Sequence, residues 1–161
     1  MDRKIKVIIA DDIQKIAEMN RNIAISNKNI EVIGMAYNGK EELDMILELK
    51  PDLVITDNKM PEMNGVDVIE KINNLEIENK PDFILVTGEY SFELNNKCNE
   101  LGVFKVISKL SVRENLPYTI EEYVEQQNTN KKVEEHIVFE NDVKEQVGIF
   151  KKILEKLKKE V

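Results

Sequence analysis

The 161-residue sequence has little of what several classes of protein require. Its one cysteine, Cys98, excludes a disulfide within the chain, and its one histidine, His136, indicates neither a histidine metal cluster nor a phosphohistidine site. No apolar run is long enough to cross a bilayer, and the N-terminus lacks the extended apolar core of a signal peptide. We therefore expect a soluble, cytoplasmic protein.

The sequence also lacks an excess of positive charge, because 31 acidic residues outnumber 23 lysines and arginines and the formal net charge is −8. Residues 131–161 are the most basic part, yet they combine eight lysines with seven acidic residues. This balance does not resemble the basic surface of a nucleic-acid-binding domain, so no DNA binding is expected. The length suits one compact domain, and the last 31 residues are too few to fold as a second one, since chains under about 40 residues rarely bury enough surface.

What the sequence does contain is an alternation of apolar runs with helical patterns over its first 125 residues. The runs are apolar almost throughout, as is typical of strands covered on both faces. They predict five strands, at about residues 5–10, 31–36, 53–57, 83–87 and 103–107. Strands that alternate with helices in this way favour an α/β fold with a doubly wound, five-stranded parallel sheet.

Chemically active side chains stand at the ends of four of these runs. They are Asp11 and Asp12, Asp57, Thr87, and Lys109. The carboxyl ends of parallel strands meet at one edge of a sheet, which is where such folds place their sites. Clustered carboxylates repel one another unless a cation is present, and their oxygens suit Mg²⁺. A lysine and a threonine can contact phosphoryl oxygens while an aspartate attacks, so the pattern predicts a phosphoryl-accepting site.

The residues that follow Asp57 make the interpretation more specific. Residues 57–67 read D-N-K-M-P-E-M-N-G-V-D, close to the D-x-x-M-P-x-M-x-G-x-D pattern of receiver domains in two-component response regulators. The chain resembles these domains over roughly its first 125 residues. The resemblance implies a flavodoxin-like receiver fold followed by a C-terminal helical extension, with Mg²⁺ as cofactor. It further implies these roles: Asp57 as phosphoacceptor and metal ligand, Asp11, Asp12 and the backbone carbonyl of Lys59 as metal ligands, Thr87 as switch hydroxyl, and Lys109 as phosphate contact.

The function implied is that of a phosphorylation-controlled response regulator. Asp57 would accept a phosphoryl group from a histidine kinase or a phosphotransfer protein, as in a phosphorelay, and the aspartyl phosphate would be the signal. Such a protein is not a conventional enzyme, although it catalyses its own phosphorylation and dephosphorylation. A haloacid-dehalogenase-like phosphatase also uses an aspartate nucleophile, but it needs a second aspartate two residues later, where Lys59 stands.

Two positions depart from the family's pattern. Val106 occupies the position of the usual switch aromatic, and Leu110 stands where a proline usually follows the lysine across a cis peptide bond. A cis bond before a non-proline residue costs about 2.5–4 kcal/mol, so the loop is either rebuilt as trans or strained. These departures keep open an alternative function, a receiver-like interaction scaffold that does not switch.

Two residues are predicted to modulate the lifetime of the signal. Lys59 and Glu89 lie two residues beyond Asp57 and Thr87, at positions that flank the path of water to the phosphoryl group in receivers. Their opposite charges predict an ion pair across the mouth of the site, whose bulk would slow hydrolysis.

The sequence after the receiver is predicted to form a polar linker, residues 126–132, and an amphipathic helical tail, residues 133–161. The helix before the linker is predicted to begin at Pro117, because proline suits a first helical position. In the tail, apolar residues spaced four, three, four, three and four apart form a seam: Val143, Val147, Phe150, Leu154, Leu157 and Val161. The seam predicts two outcomes in equal measure, a homodimer or docking on an acidic surface, which is either the receiver body of the chain or another protein. Binding to an anionic membrane is the least favoured alternative.

Overall fold

The computed structural model of the protein describes residues 3–159, except for the side chains of Leu157 and Lys159. Strands and helices alternate along the chain. The strands are β1 (Ile5–Ala10), β2 (Ile30–Ala36), β3 (Leu53–Thr56), β4 (Asp82–Thr87) and β5 (Lys105–Ser108). The helices are α1 (Gln14–Ile25), α2 (Gly39–Leu49), α3 (Gly65–Asn74), α4 (Phe92–Glu100) and α5 (Val112–Lys159), with a 3₁₀ turn at Lys109–Ser111 before α5.

The five strands form one parallel sheet in the order β2-β1-β3-β4-β5. The predicted fold class is therefore confirmed, and every predicted strand overlaps an observed one with ends within two residues. Ala10 pairs with Thr56, and Thr87 pairs with Ser108, so the carboxyl ends of β1, β3, β4 and β5 meet along one edge. This edge carries the side chains discussed below.

The sheet is buried because its strands are apolar on both faces. One face packs against α2, α3 and α4 in a contiguous core. That core includes Ile8, Val54, Phe83 and Leu85 of the strands, Ile46, Val68, Ile69 and Ile72 of α2 and α3, and Cys98 of α4. Cys98 is fully buried, and burial raises the pKa of its thiol, as is typical of a structural cysteine.

Helix α5 differs from the sequence prediction at its start. It begins at Val112 rather than at Pro117, which lies inside the helix. Proline offers no N–H to the carbonyl four residues before it, at Arg113, so the helix lacks one hydrogen bond there. The helix continues because Val112, Leu116 and Ile120 are buried along one side, and that burial outweighs the missing bond. The prediction placed too much weight on the local preference of proline.

Helix α5 also continues without interruption through residues 126–132, which were predicted to be a polar linker. The stretch is helical because asparagine, glutamine and threonine reduce helix stability only slightly compared with alanine. The chain divides into two compact units, with the boundary after Glu122. The functional division into residues 1–125, 126–132 and 133–161 stays a prediction.

The second unit, from Tyr123 onward, is helical as far as it is described. Its seam side chains are solvent-exposed: Val143 by 44%, Val147 by 48%, Phe150 by 63% and Leu154 by 41%. The prediction for Val161 lies outside the described residues, as does that for the side chain of Leu157. Within residues 3–159, no helix combines the length and apolar character needed to cross a bilayer.

Candidate functional site

Three aspartates meet at the carboxyl edge of the sheet. Asp11 and Asp12 follow β1, and Asp57 follows the neighbouring strand β3, where its N–H donates to the carbonyl of Ala10 at 2.9 Å. One carboxylate oxygen from each aspartate lies within 4.8 Å of the other two. Asp11 and Asp57 are buried, whereas Asp12 is exposed. The structure thus brings together the acidic residues that the sequence placed at separate strand ends.

Lys109 reaches the same cluster from the far side of the sheet. Its Nζ lies 2.8 Å from Asp57 Oδ2 and 2.8 Å from Asp11 Oδ2. Burial on its own lowers the pKa of Lys109, but the hydrogen bonds and charges of the two aspartates outweigh it and raise the pKa. Lys109 therefore stays an ammonium, and it offsets part of the negative charge of the cluster.

The surroundings of Asp57 act on its pKa in both directions. Burial raises its pKa, whereas the hydrogen bond and charge of Lys109 lower it. The neighbouring carboxylate of Asp11 raises it further, and a backbone hydrogen bond from Lys59 lowers it. The net result is a pKa above the usual aspartate value. Additional positive charge at the site would favour the ionised, nucleophilic form.

The loop after Asp57 is held tightly against the site by Gly65 and Asn58. The N–H of Gly65 donates to the carbonyl of Asn58 at 2.8 Å, and the N–H of Val66 donates to the side-chain Oδ1 of Asn58 at 3.2 Å. A Cβ on Gly65 would lie only 2.2 Å from the carbonyl oxygen of Asp57. Glycine is therefore the residue that lets α3 begin this close to the acidic cluster, which gives a physical reason for its place in the pattern.

Thr87 is buried at the end of β4, the strand between those that carry Asp57 and Lys109. Its hydroxyl oxygen accepts a hydrogen bond from the N–H of Glu89 at 3.1 Å, which leaves the hydroxyl proton available to donate. The placement of Thr87 at the carboxyl edge agrees with the sequence prediction; its role as a switch stays a prediction.

Lys59 and Glu89 form the ion pair that the sequence predicted. Lys59 Nζ lies 2.8 Å from Glu89 Oε1, and both side chains are largely exposed. The hydrogen bond and the charge of Glu89 raise the pKa of Lys59, and those of Lys59 lower the pKa of Glu89. The effect of this pair on the lifetime of a phosphoryl group stays a prediction.

Val106 and Leu110 are the two positions at which the sequence departs from the family's pattern. Val106 is half-buried against the core of the sheet, and it lines a groove of about 490 Å³ together with Tyr90 and Tyr118. All peptide bonds described between residues 3 and 159 are trans, so the loop at Lys109–Leu110 is rebuilt rather than cis. The side chain of Leu110 is 97% exposed.

Glu42 is a residue near the site that sequence reasoning missed. It is fully buried on α2, and Thr56 Oγ1 lies 2.9 Å from its Oε2 and 3.0 Å from the carbonyl oxygen of Asp57. The pKa of Glu42 is raised to about 8, mainly by burial. The hydrogen bond from Thr56 lowers the pKa, and the charge of Asp57 raises it. The sequence carries no clear signal for it, because an acidic residue on a helix is usually exposed, and only the structure shows that Gly39, Glu42 and Ile46 share a buried face of α2.

Comparison with known proteins identifies the fold family. Residues 7–121 match the family model described as the response regulator receiver domain. The chain belongs to this family. Among solved structures, the response regulator domain of Thermotoga maritima CheB is 25% identical with a TM-score of 0.69, and the match covers 78% of this chain and 98% of that one. The CheX–CheY–BeF₃–Mg²⁺ complex from Borrelia burgdorferi matches at 21% identity and a TM-score of 0.68, over 76% of this chain and 90% of that one, which shows the fold alone.

A curated relative extends beyond the receiver. A protein-glutamate methylesterase/protein-glutamine glutaminase of Bacillus subtilis is 41% identical over 109 residues, which is 66% of this chain. This chain spans only 30% of the length of that relative. The receiver family therefore accounts for the match, and the esterase and glutaminase activities in the relative's name are not carried over to this chain.

Proposed function

We propose that this receiver is a phosphorylation-controlled response regulator in which Asp57 accepts a phosphoryl group from a histidine kinase or a phosphotransfer protein. The observation that carries the proposal is the joining of three carboxylates and one ammonium at the carboxyl edge of a receiver sheet. Burying several charged groups together destabilises the folded state, so such clusters are typical of functional sites.

The donor set fits Mg²⁺. Three carboxylates with oxygens within 4.8 Å of one another offer the hard oxygen ligands that Mg²⁺ prefers, and the open side at Asp12 leaves room for water ligands. Asp11, Asp12 and Asp57 would hold the ion together with the backbone carbonyl of Lys59. When bound, Mg²⁺ neutralises charge on the transferring phosphoryl group.

In the proposed reaction, a carboxylate oxygen of Asp57 attacks the phosphorus of the donor's phosphohistidine. The P–O bond to Asp57 forms as the P–N bond breaks, and the imidazole leaves with its electron pair. Water later attacks the same phosphorus and releases inorganic phosphate, which restores the carboxylate. The fixed loop from Asn58 to Gly65 holds the Asp57 backbone in place during both steps.

Lys109 and Thr87 act on the phosphoryl oxygens. The Lys109 ammonium already contacts Asp57, so it is positioned to stabilise the negative charge of an aspartyl phosphate. The Thr87 hydroxyl has a proton free to donate to one of the oxygens. A shift of Thr87 and of the Glu89 N–H bonded to it would pass the change to the loop that precedes α4.

The experiment that tests the proposal is labelling with a small phosphodonor in the presence of Mg²⁺. We expect the wild type to gain one phosphoryl group in an acid-stable, base-labile bond, detected by intact mass. Asp57→Asn should not be labelled, because an amide is a poor nucleophile. Asp12→Ala should bind Mg²⁺ more weakly, since it lacks one ligand. Full labelling of Asp57→Asn would refute the assignment of the acceptor.

Two observations favour a second candidate function, a receiver that serves as an interaction scaffold without switching. Val106 cannot provide the aromatic rotamer change of the family's switch, and Leu110 follows the lysine in a trans peptide. A beryllofluoride mimic of the phosphoryl group separates the two functions. A switching receiver should change its amide hydrogen exchange around α4 and β5 when the mimic binds, whereas a scaffold should show no change there.

We further propose that the output proceeds through protein contacts in the cytoplasm rather than through DNA. The first unit is acidic overall, and this charge balance does not resemble that of a nucleic-acid-binding domain. Candidate partners are the phosphodonor, a further histidine phosphotransfer protein, a second copy of the chain, or another protein that binds the tail; a membrane is the least favoured.

A further inference from the structure

The C-terminal helix presents an apolar surface that is wider than the seam. Beside the exposed seam side chains Val143, Val147, Phe150 and Leu154 runs a second exposed row that contains Phe139 and Ile153. A lone helix in water gains little stability from its own hydrogen bonds, and contiguous apolar surface of this kind usually marks an interaction site. We therefore expect this surface to bind a partner whose apolar residues repeat over the same length and with the same period as the seam.

The spacing of the seam indicates what kind of occupant fits. Intervals of four and three residues give a period of 3.5, which is matched by another helix with the same repeat in a left-handed coiled coil. With Val147 and Leu154 at position a, Val143 and Phe150 occupy position d. A second copy of this chain carries the same repeat by definition.

The flanking charges select the orientation of such a pair. Lys144, Lys151 and Lys158 all occupy position e, and in an antiparallel pair the e positions of the two helices face each other. The lysines would then lie opposite lysines, and like charges at facing positions are unfavourable. The antiparallel arrangement is disfavoured on this ground.

In a parallel pair, each e position faces a g position of the other helix. The g positions opposite these lysines hold Phe139, Gln146 and Ile153, none of which is charged. The Lys144 stem of one copy can cover Phe139 of the other, and the Lys158 stem can cover Ile153, while both ammonium groups stay in water. A parallel pair thus covers Phe139 and Ile153 as well as the seam, without repulsion.

The polar residues upstream limit how far the pairing extends. One heptad before Val143 and Val147, position d is His136 and position a is Glu140, whose side chains lie 3.5 Å apart on the helix surface. These groups favour water over a helix interface, so the buried seam of the pair should begin near Val143, with Phe139 covered only at its edge by Lys144 of the other copy. The paired length is then under three heptads, which makes the association reversible.

From these observations we infer that the C-terminal helix joins two copies of this chain in a parallel coiled coil that begins near Val143. The inference does not depend on the phosphorylation proposed above. Its consequence is that two receivers are attached at the same end of one helical pair, so a change in either receiver acts on the same pair.

The first test is sedimentation equilibrium of the full chain without phosphodonor over a wide concentration range. We expect the wild type to pass from monomer to dimer mass as concentration rises. Phe150→Asp should raise the dissociation constant about tenfold or more, because an unpaired carboxylate cannot be buried in the seam. Ile149→Asp is the matched control, because Ile149 is also exposed but lies at position c, outside the seam; it should retain the dimer.

The second test determines orientation. Val143→Cys lies at one end of the seam, so its thiol meets its own copy only in a parallel, in-register pair. Oxidised glutathione should convert this variant into a disulfide-linked dimer, whereas the wild type, whose Cys98 is buried, should give none. A wild type that is monomeric at every concentration, a Phe150→Asp variant that dimerises normally, or failure of Val143→Cys to cross-link would each overturn the inference.

Discussion

At the scale of single residues, Glu42 shows how the receiver accommodates a buried acid beside an acidic site. Its pKa of about 8 means that it is protonated at neutral pH. A protonated Glu42 can donate to Thr56 Oγ1, and the Thr56 hydroxyl can then donate to the carbonyl oxygen of Asp57. This chain of hydrogen bonds links the interior of α2 to the backbone of the acceptor without adding a charge.

The raised pKa of Glu42 predicts how the stability of the protein changes with pH. The folded state keeps the proton up to about pH 8, whereas the unfolded state loses it near pH 4.5. The contribution is therefore complete below pH 4.5, and it is lost as the pH rises towards 8 and above. Glu42→Gln stays neutral, so its free energy of unfolding should exceed that of the wild type by a growing margin over this range. The margin should grow by at most about 1.4 kcal/mol for each step of one in pH.

Urea unfolding at a series of pH values measures this difference. Glu48→Gln is the matched control, because Glu48 lies on the same helix but is exposed, and it should show no growing difference. A constant difference between Glu42→Gln and the wild type from pH 5 to 9 would contradict the prediction.

The ion pair of Lys59 and Glu89 gives a second prediction for single residues. If its bulk obstructs the approach of water to the phosphoryl group, Lys59→Ala, Glu89→Ala and the double variant should each lose the acyl phosphate faster, by between about twofold and tenfold. The decay of the labelled protein after removal of the phosphodonor measures the rate. Lys40→Ala removes a comparable exposed ion pair, with Asp44, outside the site and should leave the decay unchanged. Equal rates in all variants would show that the pair does not shield the site.

At the scale of elements, the first turn of α3 determines how close the loop comes to the acidic cluster. Gly65→Ala would place a Cβ against the Asp57 carbonyl, so the loop must move. We expect a loss of about 1–3 kcal/mol in the free energy of unfolding together with weaker Mg²⁺ binding, because the Lys59 carbonyl and Asp57 share this loop. Thermal unfolding and Mg²⁺ titration measure the two effects.

A matched control exists in the second unit. Gly148 lies in an exposed helix with nothing within 4 Å of a Cβ placed on it, so Gly148→Ala should leave Mg²⁺ binding unchanged and stabilise its helix slightly. If Gly65→Ala behaves like Gly148→Ala, close packing of the loop is not what orders the acceptor.

The elements also show how far sequence reasoning extends. The strands were predictable because an apolar run covered on both faces differs sharply from the helical patterns around it. The acidic site followed, since Asp11, Asp57 and Lys109 each stand where a strand ends. Two features were not predictable from local preference. Packing of neighbouring elements buries Glu42, and packing also keeps Pro117 inside a helix. Residues 126–132 are polar enough for a linker, but their side chains are also compatible with a helix, and α5 continues through them.

At the scale of the whole molecule, the chemistry and the apolar tail lie on separate units. Every side chain proposed to act on the phosphoryl group precedes Glu122, and the first unit has its own core around the sheet. The seam lies wholly after Tyr123 and contributes no group to the site.

This separation predicts that deletion of residues 133–161 leaves the chemistry unchanged and removes self-association. The shortened chain should be labelled by a small phosphodonor, and lose the label, at the rates of the full chain, because Asp11, Asp12, Asp57, Thr87 and Lys109 keep their neighbours. Its mass by light scattering should be that of a monomer both with and without beryllofluoride, since the helix pair that would carry a dimer is gone. Slower labelling of the shortened chain would show that the tail supports the site, and a persistent dimer would place the self-association on the receiver itself.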